Sequence, residues 1–373
     1  MSRPVGAGPV GVGVIGAGVI STQYLENLSR FPDVDVRFVA DLDLPRAAAQ
    51  AAAFGVPGSG TVDELLARDD IAIVVNLTVP ATHVAVGRQI IAAGKHVWSE
   101  KPIALDHDSA QLLLAEASAA GLRVACAPDT VLGPGIQTAL RALARGVIGE
   151  PLTAATVFQV PGPDAWHPNP DFLFARGGGP LFDIGPYYIT TLVHALGSAT
   201  RVHATASTAR TVRTIGAGPR AGQTFPVEVP THHSALIEFA GGTSAQSTFS
   251  FQHARAQSGF VEINGTDGTM TLPDPNNFDG ATTVWHSGGN APEILEPEGE
   301  AFGRGTGVVE LARAIRAGEP ERASGRLASH VLDILLGISE AAESGAAVTI
   351  ESDAPAPPPL PLRWSAQTAT FVD

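Results

Sequence analysis

Short apolar runs alternate with amphipathic stretches through the first third of the chain. Residues 10–15, 36–40, 71–77, 95–98 and 122–127 are runs of strand type. The run at 71–77 is continuously apolar, as a strand buried on both faces should be. Between these runs a 3.6-residue pattern predicts helices. One passes through Leu25 and Leu28; others cover 45–54, 61–68, 82–93 with Gly94 as its stop, and 109–120 closed by Gly121. Strand and helix in alternation, with short links, predict a doubly wound parallel sheet.

The pattern changes near Pro128-Asp129. A helix over 136–145 ends at Gly146, and strand-type runs then dominate at 152–160, 201–212, 233–239, 244–251, 260–264 and 269–272. Gly241-Gly242, Asn264-Gly265 and Asp267-Gly268 supply tight turns, which predicts a mostly antiparallel sheet. One helix, over 184–196, interrupts it. Two late helices, over 307–317 and 323–344, are expected to return and pack on this sheet. The proline-rich tail after Ser352 is expected to run extended over the surface. The reading is an α/β chain of two domains. Residues 1–128 form a doubly wound parallel sheet, and 129–373 an α+β domain with a large, mostly antiparallel sheet. No internal repeat is visible.

Composition narrows the function classes. A chain of 373 residues can bury a large core. A formal charge of −14 with no basic run argues against nucleic-acid binding. No apolar run is long enough to span a bilayer. The first sixteen residues run straight into the first strand, so no signal peptide is read there. The single cysteine, Cys126, excludes an intrachain disulfide and a cysteine metal cluster. Cytoplasmic residence follows as the default expectation.

Candidate chemistry begins at Gly16-Ala17-Gly18-Val19-Ile20-Ser21, between a strand and a helix. This is the context of a dinucleotide-binding turn. Gly16 allows the tight turn, Gly18 lets backbone approach a pyrophosphate, and the helix N-terminus supplies donors. Ser21 stands at the third glycine position, which predicts slightly looser helix–strand packing. Asp41 ends the second strand, 25 residues after Gly16, with Leu42 beyond it. A carboxylate there suits the ribose hydroxyls of NAD and disfavours a 2′-phosphate. Capping of the following helix is the competing role, and Asp43 and Arg46 leave room for NADP. Thr78, Pro80 and His83 follow another strand end and are expected to border the cofactor; His83 also suits a helix start. Glu100-Lys101-Pro102 follows the strand over 95–98; Glu100 and Lys101 are expected to border the cofactor, and Lys101 to stand where the two domains meet. A surface turn is the alternative for that tripeptide.

Taken together, these motifs resemble the glucose–fructose oxidoreductase / inositol dehydrogenase / MocA (Gfo/Idh/MocA) family. The resemblance rests on the Gly16 turn, Asp41, Thr78-x-Pro80-x-x-His83, Gly94-Lys95-His96-Val97 and Glu100-Lys101-Pro102. It continues through Gly177-Gly178-Gly179-Pro180-Leu181-Phe182-Asp183-Ile184-Gly185 and Gly265-Thr266-x-Gly268. It implies a Rossmann domain joined to an antiparallel α/β domain, an NAD(P)-dependent dehydrogenase or reductase of sugars or polyols, and a homodimer or homotetramer. It implies that Lys101 touches both nicotinamide and the reacting hydroxyl, and that Asp183 is the substrate-side acid. Many members carry histidine four residues after that aspartate. Here Tyr187 replaces it, as in the glucose–fructose oxidoreductase-like and dihydrodiol dehydrogenase-like branch, and Thr190 stands at the usual acidic position.

In the second half, Pro186 predicts that Asp183 lies at or near a helix N-cap, with Tyr187 one turn further on the same face. A cap and a core aromatic are the competing roles. Trp166 and His167 precede the triple glycine in a proline-rich loop. An aromatic face there suits a sugar ring, although a packed tryptophan serves equally. Asp129, Arg176, Arg304 and His330 are weaker pocket candidates. His194 reads as a core residue. No spacing resembles a metal site, and His232-His233 point to opposite faces of a strand.

Overall fold

The computed structural model describes residues 8–257 and 259–371. The reading of residues 1–7 as free of a signal peptide therefore lies outside the described residues. The chain begins β1 (Val10–Ile15), α1 (Val19–Leu28), β2 (Val34–Ala40), α2 (Leu44–Ala53), β3 (Ser59–Gly60) and α3 (Val62–Leu66). It continues β4 (Ile73–Asn76), α4 (His83–Ala92), β5 (His96–Ser99), α5 (His107–Ala119) and β6 (Val124–Cys126). All pairings among these strands are parallel, in the order β3-β2-β1-β4-β5-β6. β4 is buried along its whole length, as its unbroken apolar run requires.

The remainder opens with α6 (Pro134–Ala144), β7 (Pro151–Gln159), α7 (Gly179–Asp183) and α8 (Gly185–Leu196). Then come β8 (Ala199–Ser207), β9 (Val212–Thr214), β10 (Thr224–Pro226), β11 (His232–Phe239) and β12 (Ser244–Ser250). β13 (Phe260–Gly265), β14 (Gly268–Leu272), β15 (Thr282–His286) and β16 (Glu293–Leu295) lead into α9 (Thr306–Ala317), α10 (Gly325–Ser344) and β17 (Val348–Thr349). A nine-stranded sheet runs β16-β15-β14-β13-β7-β12-β11-β8-β17. It is antiparallel except where β12 pairs with β7. The run expected over 201–212 is two elements: β8 stops at Ser207, and β9 pairs with β10 in a separate ribbon.

Two compact units result. Residues 1–134, 299–329 and 360–373 make the first; 135–298 and 330–359 make the second. The helix expected over 307–317 does not pack on the antiparallel sheet. It is α9, and it lies against β4, β5 and β6. Its Gly307 explains the seat: a Cβ there would stand 1.9 Å from the Trp98 ring. The proline-rich tail has no regular element, but Ala354 and Leu360 are buried, so it is anchored rather than wholly superficial. No helix among the described residues is long and apolar enough to cross a membrane.

Candidate active site

The first unit gathers its candidates at the carboxyl ends of the parallel strands. Gly16 has φ +102°, and a Cβ there would lie 2.7 Å from the Leu77 carbonyl oxygen. Only glycine fits that turn. Gly18 differs. It is the N-cap of α1 in ordinary extended geometry, and a Cβ would meet nothing within 4 Å. The start of α1 has neither a side-chain cap nor an acid in its first turn. An open, positive helix end with a bare backbone approach suits a pyrophosphate. Val19 and Leu42 are almost fully exposed beside it; Ile20 is half-buried. Ser21 is fully buried and its hydroxyl donates to the Gly18 carbonyl at 2.6 Å. The helix is thus tied down at the position where looser packing was expected.

Asp41 is built into this turn. One carboxylate oxygen accepts the Ala17 N–H at 2.7 Å. The other accepts the Asp43 N–H at 2.8 Å and an Arg46 Nη at 2.7 Å. Burial works to raise its pKa, but the Arg46 guanidinium and the two backbone donors outweigh that and hold it below the usual carboxylate range. Capping of α2 falls to Asp43, which accepts the Arg46 N–H. Asp41 is therefore ionised, next to the glycine turn, and not the helix cap.

Around Lys101 the backbone is pinned at several points. The Glu100 N–H donates to the Asn76 carbonyl at 2.9 Å, and the Ser99 hydroxyl to the Glu100 carbonyl at 3.0 Å. The Lys101 N–H donates to Glu100 Oε2 at 3.1 Å. Thr78 turns its hydroxyl onto Asn76 at 2.7 Å, and Pro80 lies in the short turn before α4. His83 is buried beneath these loops. Its Nδ1 is 2.7 Å from the Pro102 carbonyl oxygen and its Nε2 2.9 Å from that of Thr78. Burial lowers its pKa against the pull of the two carbonyls. A neutral ring carries one N–H, so it serves one carbonyl at a time. His83 thus supports the strand ends from below instead of facing outward.

Three weaker candidates are structural. Asp129 is fully buried; its carboxylate accepts the Gly305 and Gly307 N–H groups at 2.8 and 3.2 Å, at the start of α9, with Arg304 alongside. Burial raises its pKa despite that guanidinium. Oδ2 of Asp129 is thus engaged by the two N–H groups, and Oδ1 faces Arg304. His330 is buried too, accepting the Ala199 N–H at 3.0 Å and facing the Ser352 hydroxyl at 2.9 Å.

The second unit carries Asp183, Tyr187, Trp166 and His167. Asp183 is half-buried and ends α7; the N-cap of α8 is Ile184. Asp183 thus stands next to the N-cap, within the expected placement, while the competing capping position itself goes to Ile184, because Gly179-Pro180 starts its own helical turn ahead of the one Pro186 starts. Tyr187 is in the first turn of α8 and 6% exposed. Trp166 and Phe172 are exposed, with His167 edge-on between them at centroid distances of 5.5 and 5.6 Å. His194 is buried, as expected of a core residue. No group of three or more metal-ligating side chains occurs among the described residues.

Sequence reasoning does not single out Tyr24, which lies in α1. In the structure its hydroxyl donates to Glu100 Oε1 at 2.8 Å. The available signal was an aromatic with a polar tip on an apolar helix face, which needs a buried partner.

Comparisons with known proteins bear on the family and the fold. The model of the oxidoreductase family with an NAD-binding Rossmann fold matches residues 10–127, and that of the GFO/IDH/MocA C-terminal domain matches 136–271. The D-xylose 1-dehydrogenase (NADP(+)) 2 of Haloferax volcanii is 26% identical over 84% of this chain and 91% of its own. The dTDP-3,4-didehydro-2,6-dideoxy-alpha-D-glucose 3-reductase of Streptomyces antibioticus is 31% identical over 65% of this chain and 68% of its own. A levoglucosan dehydrogenase solved with NADH and L-sorbose shares the fold, with a TM-score of 0.79 and 20% identity over 92% of this chain and 99% of its own.

Proposed function

Because the chain belongs to the Gfo/Idh/MocA family of NAD-binding oxidoreductases, we propose that it moves a hydride between nicotinamide and a secondary alcohol or ketone of a sugar or polyol. The observation that carries this reading is the first unit's strand-end cluster. An open helix start at Gly18, an ionised Asp41 and a firmly held Lys101 all lie at the carboxyl edge of one parallel sheet. The names of the xylose and dTDP-sugar relatives support a sugar-like substrate.

When bound, the nicotinamide supplies the redox chemistry. The α1 N-terminus would hold the pyrophosphate, and Asp41 the ribose hydroxyls. Lys101 Nζ orients the substrate hydroxyl and takes or returns its proton. Within the second unit taken by itself, Asp183 and Tyr187 are the polar candidates for substrate binding, and Trp166 and His167 offer a ring face and a hydrogen-bonding group. Tyrosine at 187, where many relatives have histidine, favours one second reading: reduction or oxidation of a non-sugar carbonyl, imine or trans-dihydrodiol. Cytoplasmic residence and a homodimer or homotetramer complete the proposal.

An NADH-absorbance assay over a panel of sugars, with a dihydrodiol and a cyclic imine beside them, tests the substrate class. Lys101→Ala should lower kcat at least about 100-fold, the scale of general acid–base catalysis, while NADH affinity changes little. Tyr187→Phe should lower turnover and reshape the pH–rate profile if its hydroxyl relays the proton. Near-normal turnover in Lys101→Ala would refute the assignment, whatever Tyr187 does.

A further inference from the structure

Lys101 is held by backbone contacts, and one of them reaches outside its own strand end. Trp98 Nε1–H donates to the Tyr24 hydroxyl oxygen at 3.1 Å. An indole N–H only donates, so this bond fixes the phenol as its acceptor. The Tyr24 hydrogen is then directed to Glu100 Oε1, 2.8 Å away. The other carboxylate oxygen of Glu100 accepts the Lys101 N–H at 3.1 Å. Tyr24 and Trp98 are completely buried, and Glu100 is half-buried.

From this chain of bonds we propose that Tyr24 is a positioning residue for Lys101, acting through the Glu100 carboxylate. The inference rests on the reading of Lys101 given above. Glu100 has a flexible stem and, by itself, could rotate away from the neighbouring N–H. The Tyr24 hydroxyl holds it in the rotamer that grips the backbone where the Lys101 side chain departs. Burial, with the Glu100 and Asp129 carboxylates adding to it, pushes the Tyr24 phenol well above its ordinary pKa. It therefore stays protonated and donating throughout the working range of an enzyme. Tyr24 sits on α1, the helix whose first turn is open beside Gly18. The same helix that would take the pyrophosphate thus also anchors the lysine. Small misplacements of a reacting group are costly in rate, whereas nucleotide contacts at Gly18 and Asp41 do not pass through this bond.

The test compares the full-length protein with Tyr24→Phe, and with Glu100→Asp, which keeps the charge but shortens its reach. The first readout needs no substrate: trace acetylation of Lys101 by acetic anhydride, followed by mass spectrometry across pH 7–11 (roughly the range in which lysines titrate). Both variants should change the Lys101 acetylation rate at least about threefold relative to a lysine-containing reference peptide added to the same sample, since the other lysine of the chain, Lys95, is buried. In Tyr24→Phe, NADH affinity should stay within about twofold. With a turned-over substrate, kcat should fall about tenfold with KM little changed. Superimposable Lys101 labelling profiles, with only a lower melting temperature, would overturn the proposal and leave Tyr24 a core residue. Altered labelling in a protein that turns over no sugar would uphold the positioning role and sink the sugar reading instead. If Tyr24→Phe fails to fold, Glu100→Asp alone decides by the same labelling comparison.

Discussion

Asp41 and Arg46 show how one ion pair can set a cofactor preference. The pair is close, 2.7 Å, but Arg46 is half-exposed, so its own contribution to stability is small. On the proposed ribose role of Asp41, its effect on recognition is larger. A ribose with free hydroxyls can donate to the Asp41 carboxylate, whereas a 2′-phosphate meets the same charge and is repelled. Arg46 is occupied by Asp41 and is not offered to that phosphate. Asp41→Ser should therefore narrow the gap between NADH and NADPH affinity, both by weakening NADH and by releasing Arg46. Adding Arg46→Ala should remove the NADPH gain without restoring NADH. Fluorescence titration of the two nucleotides against the three proteins checks this; an unaltered protein that prefers NADPH would overturn the ribose assignment. At this scale the sequence was a good guide to placement where a residue's setting is local. The glycine turn, Asp41 and the strand-end Lys101 all follow from a few neighbouring residues. Asp129 and Tyr24 were opaque because their partners, Gly305 and Glu100, stand far away in the chain.

Among the elements, the turn between β1 and α1 separates two reasons for a glycine. Gly16 is required by the fold: its positive φ and the Leu77 carbonyl leave no room for a side chain. Among the described residues nothing requires glycine at 18, since its backbone is extended and no described atom would lie within 4 Å of a Cβ there. Gly18→Val should leave the melting temperature within a few degrees of the unaltered protein, yet weaken NADH binding at least about tenfold, because the branched side chain occupies the approach to the helix end. Calorimetry and nucleotide titration together decide it; full NADH affinity in a folded Gly18→Val would remove the pyrophosphate from this turn. The helices and strands of the first unit were legible because each buries a face with its own period. The errors fall where pairing is not local. β9 and β10 form a ribbon of three-residue strands, too short to carry a period. Helix α9 has the same amphipathic pattern whichever sheet it covers, so its seat against β4–β6 is decided by Gly307 under Trp98.

For the whole molecule, the nine-stranded sheet of the second unit makes the next prediction. One row across it reads Val202, Ile237, Ala245, Ala154, Ile263, Met270 and Val284 in continuous register, and every member is buried. α7 and α8 pack on β11, β12 and β13. The adjacent row points to the opposite face, since side chains alternate along a strand. It reads His203, Leu236, Gln246, Ala155, Glu262, Thr271, Thr283 and Ile294, all half-buried or exposed. At ~4.8 Å per strand this face is roughly 40 Å wide. It carries short polar side chains with Leu236, Ile294 and Trp285 among its exposed apolar ones. A face of that breadth can supply the ~800 Å² per partner of a standard interface. A twofold axis through its middle would let one copy cover another, each row meeting its own equivalent. The protein should therefore scatter light as a dimer or tetramer at micromolar concentration. Leu236→Arg, exposed and second in the row from its β8 end, should shift the mass toward the monomer while leaving the secondary structure unchanged, because the residue touches no core side of the sheet and the new charge has no partner when two faces close. A monomeric mass for the unaltered protein would mean that this face is simply wet.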